Sequence, residues 1–148
     1  MYSQKSHSFT YTEYPSIDNL PKDLRRLAAR AVEALDTSYS PYSNYAVGAA
    51  VLLDNGEVVQ GSNQENAAFP SGLCAERVAL FYAGARYPKA AAIAMALVAR
   101  NAGAIVPSPV APCGACRQVM VETQSRLQIP MRVVMVGSSK VIVVDGAS

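Results

Sequence analysis

All three cysteines of the chain sit in two short blocks, Cys74-Ala75-Glu76-Arg77 and Pro112-Cys113-Gly114-Ala115-Cys116. A Cys-x-x-Cys pair at the opening turn of a helix offers two thiolates to one ion, and a distant third cysteine completes a set of three protein ligands. A tetrahedral zinc held in this way keeps its fourth position for water, which is the arrangement of a catalytic site rather than a structural one. Glu76 stands two residues after the first ligand, close enough to reach that water without binding metal, and a proton shuttle belongs there. Unpaired N–H groups and the positive end of a helix dipole favour anions, so thiolates at Cys74, Cys113 and Cys116 are favoured even before metal arrives. Three thiolates leave the complex net negative, and positive charge is needed nearby. Arg77 is placed to donate hydrogen bonds to a thiolate sulfur, and Arg117 is the other candidate.

Plainer readings of the same cysteines explain less. Three cysteines cannot all close into intramolecular disulfides, and the N-terminus lacks the basic-then-apolar profile of a secretory signal, so reduced thiols and a cytoplasmic protein are expected. A redox-active Cys-x-x-Cys normally follows a strand and would leave Cys74 and Glu76 without a role. Cysteines that merely pack as small apolar side chains do not require Pro112, Gly114 and Arg117 around them. The single histidine, His7, lies in a segment without periodicity and reads as a surface residue rather than a ligand.

The elements that must position these blocks follow from pattern. With 148 residues, 51% hydrophobic and 16% charged, the chain can bury one sizeable core but not two. One domain over residues 20–148 is expected, behind an extended N-terminal arm over 1–19. The formal net charge of +2 is dispersed, with Arg25-Arg26 the only adjacent basic pair, so no footprint for nucleic acid is present. The apolar stretch 90–99 is too short to span a bilayer, and no membrane partner is expected.

Asn19 as a cap, Pro21 near the first turn, and Leu20, Leu24, Leu27, Ala31 and Leu35 at three-to-four spacing predict a helix from Asn19 onward. After turn chemistry at Ser40-Pro41-Tyr42-Ser43-Asn44, segments 45–53 and 57–62 flank Asp54-Asn55-Gly56, the signal of a hairpin. A helix opening at Cys74 should end near Gly84. Residues 91–99 read as a buried strand, 106–112 as a Pro-rich loop, and 113–125 as a second helix carrying the site. Strands 131–136 and 141–144 are separated only by Gly137-Ser138-Ser139-Lys140, too short for a parallel crossover, so they should pair antiparallel. The sum is an α/β chain: a three-layer α/β/α sandwich on a mixed five-stranded sheet.

Four blocks in order carry a resemblance. Ser40-Pro41-Tyr42-Ser43-Asn44-Tyr45-Ala46-Val47-Gly48-Ala49-Ala50, Asn63-Gln64-Glu65-Asn66-Ala67-Ala68-Phe69-Pro70, Cys74-Ala75-Glu76-Arg77 and Pro112-Cys113-Gly114-Ala115-Cys116-Arg117-Gln118-Val119 resemble the homotetrameric, three-cysteine cytidine deaminases. The resemblance implies one zinc per subunit and a metal-activated water that attacks C4 of cytosine. It also implies a glutamate, matched by Glu76, that moves a proton to N3 and then to the departing ammonia. Asn63 and Glu65 match the side chains that hold the ribose. Backbone groups near Ala67 and Ala75 match those that recognise the base, Tyr45 takes the place of an aromatic that packs on it, and Phe69 matches an aromatic lent to a neighbouring subunit's site. Cytidine and 2′-deoxycytidine are the implied substrates, in pyrimidine salvage.

Two departures bear on that expectation. Tyr45 stands where the family usually has Phe, and its added hydroxyl needs a partner if buried. The family usually continues past the last strand with a Leu-Leu-Pro segment and an aromatic tail that helps close an active site, whereas this sequence reaches Gly146-Ala147-Ser148. A related reading is deamination of a cytosine nucleoside antibiotic, as in the blasticidin S deaminases, against which Asn63 and Glu65 speak for an ordinary ribose. A reading from another class is a zinc-stabilised binding module without turnover, against which Glu76 speaks.

Overall fold

Alternation along two central strands, interrupted by one register shift near Leu52 and Leu53, sorts the core into two layers. In the computed structural model, which describes residues 1–146, the elements in chain order are β1 (Thr12–Tyr14), α1 (Lys22–Ala34), β2 (Tyr45–Leu53), β3 (Val58–Ser62), α2 (Ala75–Arg86), β4 (Ala92–Asn101), β5 (Ala104–Ile105), α3 (Gly114–Leu127), β6 (Arg132–Val136) and β7 (Val141–Val144). Ala50 of β2 and Ala94, Ala96 and Val98 of β4 face α1, where Leu24, Leu27, Ala28 and Ala31 cover them. Their neighbours Ala49, Val51, Leu53, Met95 and Leu97 face the other way, against Ala75, Ala79, Leu80 and Ala83 of α2 and Met120 of α3. Period two in the strands and period 3.6 in the helices therefore meet in one three-layer sandwich.

The strand order is β1-β7-β6-β4-β2-β3, with β5 paired to β4. Only β4 and β6 run parallel, and α3 supplies the crossover between them. β6 and β7 pair antiparallel, as the short turn between them requires. β2 and β3 form the expected hairpin, closed by Gly56 at a φ of 87° that a glycine adopts without steric cost.

The sheet has seven strands instead of the five expected from pattern. Both additions are very short. β5 is two residues long and returns on β4 through Ala102 and Gly103, whose φ values of 52° and 80° describe a tight hairpin turn that Ala-Gly announces poorly. β1 lies within the arm over 1–19 and covers the edge of β7, its Glu13 paired with Lys140 at 3.2 Å. The first helix also starts later than residue 19. Leu20 precedes Pro21 and is held extended, so a single 3-10 turn at Ile17–Asn19 comes first and α1 begins at Lys22. Ala147 and Ser148, part of the segment where a tail was sought, lie outside the described residues. Among the described residues no helix is long and apolar enough to cross a membrane.

α2 sits very close to the sheet because Gly61 of β3 lets it. A Cβ at Gly61 would lie 2.6 Å from the Ala79 nitrogen and 2.7 Å from the Ala75 oxygen, both backbone atoms that cannot give way cheaply. Gly61→Ala should therefore lower folding stability by about 1–3 kcal/mol, the usual cost of overpacking. Urea titration of the variant beside its parent measures this; coincident midpoints would mean that α2 is not pressed against β3 as described.

Candidate metal centre and active-site cleft

Two helix starts on the same face of the sheet gather the chemistry. Cys74 is the N-cap of α2 and Cys113 the N-cap of α3, while Cys116 follows in the first turn of α3. The three sulfurs lie within 4.8 Å of one another, and those of Cys74 and Cys113 are 3.8 Å apart. Two thiolates each about 2.3 Å from a tetrahedral zinc stand roughly 3.8 Å from one another, so the donor set and its spacing both fit that ion.

The electrostatics make the same demand. At Cys113 burial opposes ionisation, but the Cys116 N–H, the neighbouring thiols and the Ala115 N–H outweigh it and hold this thiol below its ordinary value. At Cys116 burial, followed by hydrogen bonding to and repulsion from the Glu76 carboxylate, pushes the thiol far up. Three thiolates at these positions need a bound cation.

Glu76 is 4% exposed, one of the two buried polar residues among those described. Burial raises its pKa above the ordinary carboxylate value, against the Cys116 thiol, its own backbone N–H and the Arg77 charge, which pull the other way. With Cys116 ionised that carboxylate loses its thiol donor and is free to exchange a proton elsewhere. Arg77 donates from Nη2 to the Cys74 sulfur at 3.4 Å, a bond that further favours its charged form. Arg117, the second candidate for that task, is engaged differently. Its Nε donates to the Pro112 carbonyl at 2.8 Å, so it braces the turn that presents Cys113.

That turn is also anchored from outside. Ser138 N donates to the Val106 oxygen at 3.0 Å, and Ser139 donates to the Pro107 oxygen from N at 3.1 Å and from Oγ at 2.7 Å. Gly137 packs against Pro107 O and Pro109 N with no room for a side chain. The β6–β7 turn thus grips the Pro-rich loop that delivers Cys113, a role no local pattern in either segment announces.

Cys74 and Cys113, but not the buried Cys116, line a cleft of about 960 Å³ whose walls also include Tyr45, Asn63, Glu65, Ala67, Phe69, Glu76 and Val110. Arg77 is the single cation among its described lining residues. Asn63 is tied into its wall: Oδ1 accepts from Val47 N at 2.9 Å and from Ser38 Oγ, and Nδ2 donates to the Tyr45 oxygen at 2.9 Å. Glu65 accepts at Oε1 from Tyr42 N at 2.9 Å and Ser43 N at 3.2 Å, and at Oε2 from Ser43 Oγ. The Ser43 hydroxyl and these amides hold its carboxyl below the usual range, so the clamp is complete at neutral pH and is lost as pH falls through the lowered value.

Tyr45 is half-buried in the cleft, and Phe69 is 91% exposed at its rim. Ala75 is fully buried as the first residue of α2, where its N–H has no partner within the helix. His7 is exposed in the N-terminal segment, and the three-cysteine cluster contains no histidine. Ser38 and Ser43 were not singled out by spacing, although the turn composition of 40–44 marks the place where Ser43 acts.

Comparison with known proteins places the chain in a family. Residues 21–136 match the family described as the cytidine and deoxycytidylate deaminase zinc-binding region. The cytidine deaminase of Halalkalibacterium halodurans is 44% identical over 100 residues, which is 68% of this chain and 71% of that protein. That of Mycobacterium tuberculosis is 39% identical over 108 residues, 68% and 71% of the two chains. The crystal structure of cytidine deaminase from Burkholderia pseudomallei superposes with a TM-score of 0.69 at 39% identity, covering 82% of this chain and 91% of that one. The matched region contains both cysteine blocks and Glu76, so the chain belongs to the zinc-binding cytidine and deoxycytidylate deaminase family.

Proposed function

We propose that this protein hydrolyses cytidine and 2′-deoxycytidine to uridine and 2′-deoxyuridine, releasing ammonia, as a cytoplasmic homotetramer of pyrimidine salvage. The observation that carries the reading is the buried carboxylate of Glu76 beside a three-thiol cluster, two of whose cysteines line a cleft large enough to admit a nucleoside. Zinc held by Cys74, Cys113 and Cys116 would supply a water acidic enough to act as nucleophile near neutral pH.

Glu76 then does the proton work. Its carboxylate takes the proton of the attacking water and gives it to N3 as the C4–O bond forms; it carries the second proton to the amino group as the C4–N bond breaks. A carboxyl whose affinity for protons is raised by burial suits both halves of that task. Arg77, bonded to the Cys74 sulfur, withdraws negative charge from the ligand set. Asn63 and Glu65 bind the sugar, backbone groups at Ala67 and Ala75 bind the base, and Tyr45 and Phe69 enclose it.

An uncharged nucleoside suits the cleft better than a nucleotide. Its described lining carries the carboxylates of Glu65 and Glu76, and its one cation, Arg77, is already committed to Cys74. A phosphate would meet two carboxylates and a single cation, which already donates to Cys74. The exposed Phe69, with Phe81 and Tyr82 exposed on α2, supports assembly with further copies, where an aromatic at the rim can reach a neighbour's cleft.

Three outcomes are expected. The zinc-replete protein forms uridine from cytidine, and Glu76→Gln lowers kcat about 100- to 10,000-fold while keeping its zinc, because general acid–base catalysis is lost and the ligands are not; unchanged turnover in that variant would refute the role of Glu76. Chelation abolishes turnover and exposes three titratable thiols, and added zinc restores the one and hides the other. Sedimentation of the holoprotein gives four chains per particle; a stable and active monomer would overturn the assembly.

A further inference from the structure

The turn before β2 does more than connect α1 to the sheet, because its groups occupy most of one carboxylate. An ionised carboxylate has about four acceptor positions, two on each oxygen. On Glu65 the Tyr42 and Ser43 amides fill Oε1, and the Ser43 hydroxyl takes one position on Oε2. One acceptor position remains, on Oε2, in a side chain that lines the cleft.

The Ser43 hydroxyl is itself oriented. Tyr45 N donates to Ser43 Oγ at 3.1 Å, so the Oγ lone pair is used there and its proton is directed to Glu65. Asn44, between them, has a φ of 55°, a left-handed conformation that asparagine tolerates and that closes the turn. The Glu65 backbone is fixed independently, its N–H donating to the Tyr39 oxygen at 2.8 Å. Main chain and side chain are therefore held at two points of the same loop, Tyr39 and Tyr42-Ser43.

We propose that Ser43 is a positioning residue for sugar discrimination: it holds the Glu65 carboxylate so that its one remaining acceptor meets a secondary hydroxyl of the nucleoside. This rests on the nucleoside reading above and adds to it the residue that decides how strongly the sugar is read. Without the Ser43 hydroxyl, Oε2 gains a second vacant position, the carboxylate turns about its last torsion, and water competes for it.

The test compares cytidine with 2′,3′-dideoxycytidine, which lacks both secondary hydroxyls, in the zinc-loaded wild type, Ser43→Ala and Ser43→Thr. In Ser43→Ala the KM for cytidine should rise about tenfold with kcat within about twofold, the loss expected of one well-placed hydrogen bond to a charged group. The dideoxy substrate should respond equally to wild type and variant, and Ser43→Thr, which keeps the hydroxyl, should recover the cytidine KM. Equal losses on both substrates, or none on cytidine, would overturn the proposal and leave Ser43 as a turn residue only. A wild type that deaminates neither substrate would instead sink the nucleoside reading itself, whatever Ser43 does.

Discussion

Two sulfur atoms at the N-caps of different helices lie 3.8 Å apart, and most of the molecule is arranged so that they can. Each cap belongs to a helix packed on the same face of the sheet. The approach of α2 depends on the bare backbone of Gly61, and the delivery of Cys113 on the grip of the β6–β7 turn upon the Pro-rich loop. Uncapped N–H groups and the helix dipoles at both starts favour negative charge, yet burial at Cys116 opposes it. A bound dication would resolve that conflict, in keeping with the spacing of the three sulfurs and with the zinc-binding family.

Two carboxylates in one cleft are driven in opposite directions by their surroundings. Glu76 is raised because burial removes its hydration, while Glu65 is lowered because the Ser43 hydroxyl and two amides hydrogen-bond its charged form. A carboxyl with raised proton affinity is suited to moving protons; one locked as an anion is suited to binding. The same residue type thus has two distinct uses, separated by environment alone.

Several features were legible before any coordinates because they rest on local chemistry. The two central strands, the hairpin at Asp54-Asn55-Gly56 and the antiparallel last pair follow from alternation, turn composition and loop length. The boundaries of β2 and β7 coincide with the pattern. Short pairings were not legible. β1 and β5 have three and two residues, too few to show a period, and β1 finds its partner at the far end of the chain. Pro21 delayed the first helix through its restriction on Leu20, a signal present in the sequence whose effect outweighed the cap at Asn19.

What the sequence by itself determined is the chemistry: three thiol-bearing residues, a glutamate two positions after the first, and an arginine beside it. Within each of the two blocks those identities and short spacings act over about one helical turn, where geometry follows from the chain alone. The arginines are settled locally: Arg77 reaches Cys74 three residues before it, whereas Arg117 bonds the Pro112 carbonyl five residues before it. Tertiary structure decided that the two blocks meet, bringing the Cys74 and Cys113 sulfurs to 3.8 Å. It also decided that Asn63 and Glu65 are held by the segment 38–47 and that Glu76 is buried. The physical reason is that burial, the number of donors at an atom and the last ångström between groups depend on elements distant in the chain meeting in one core.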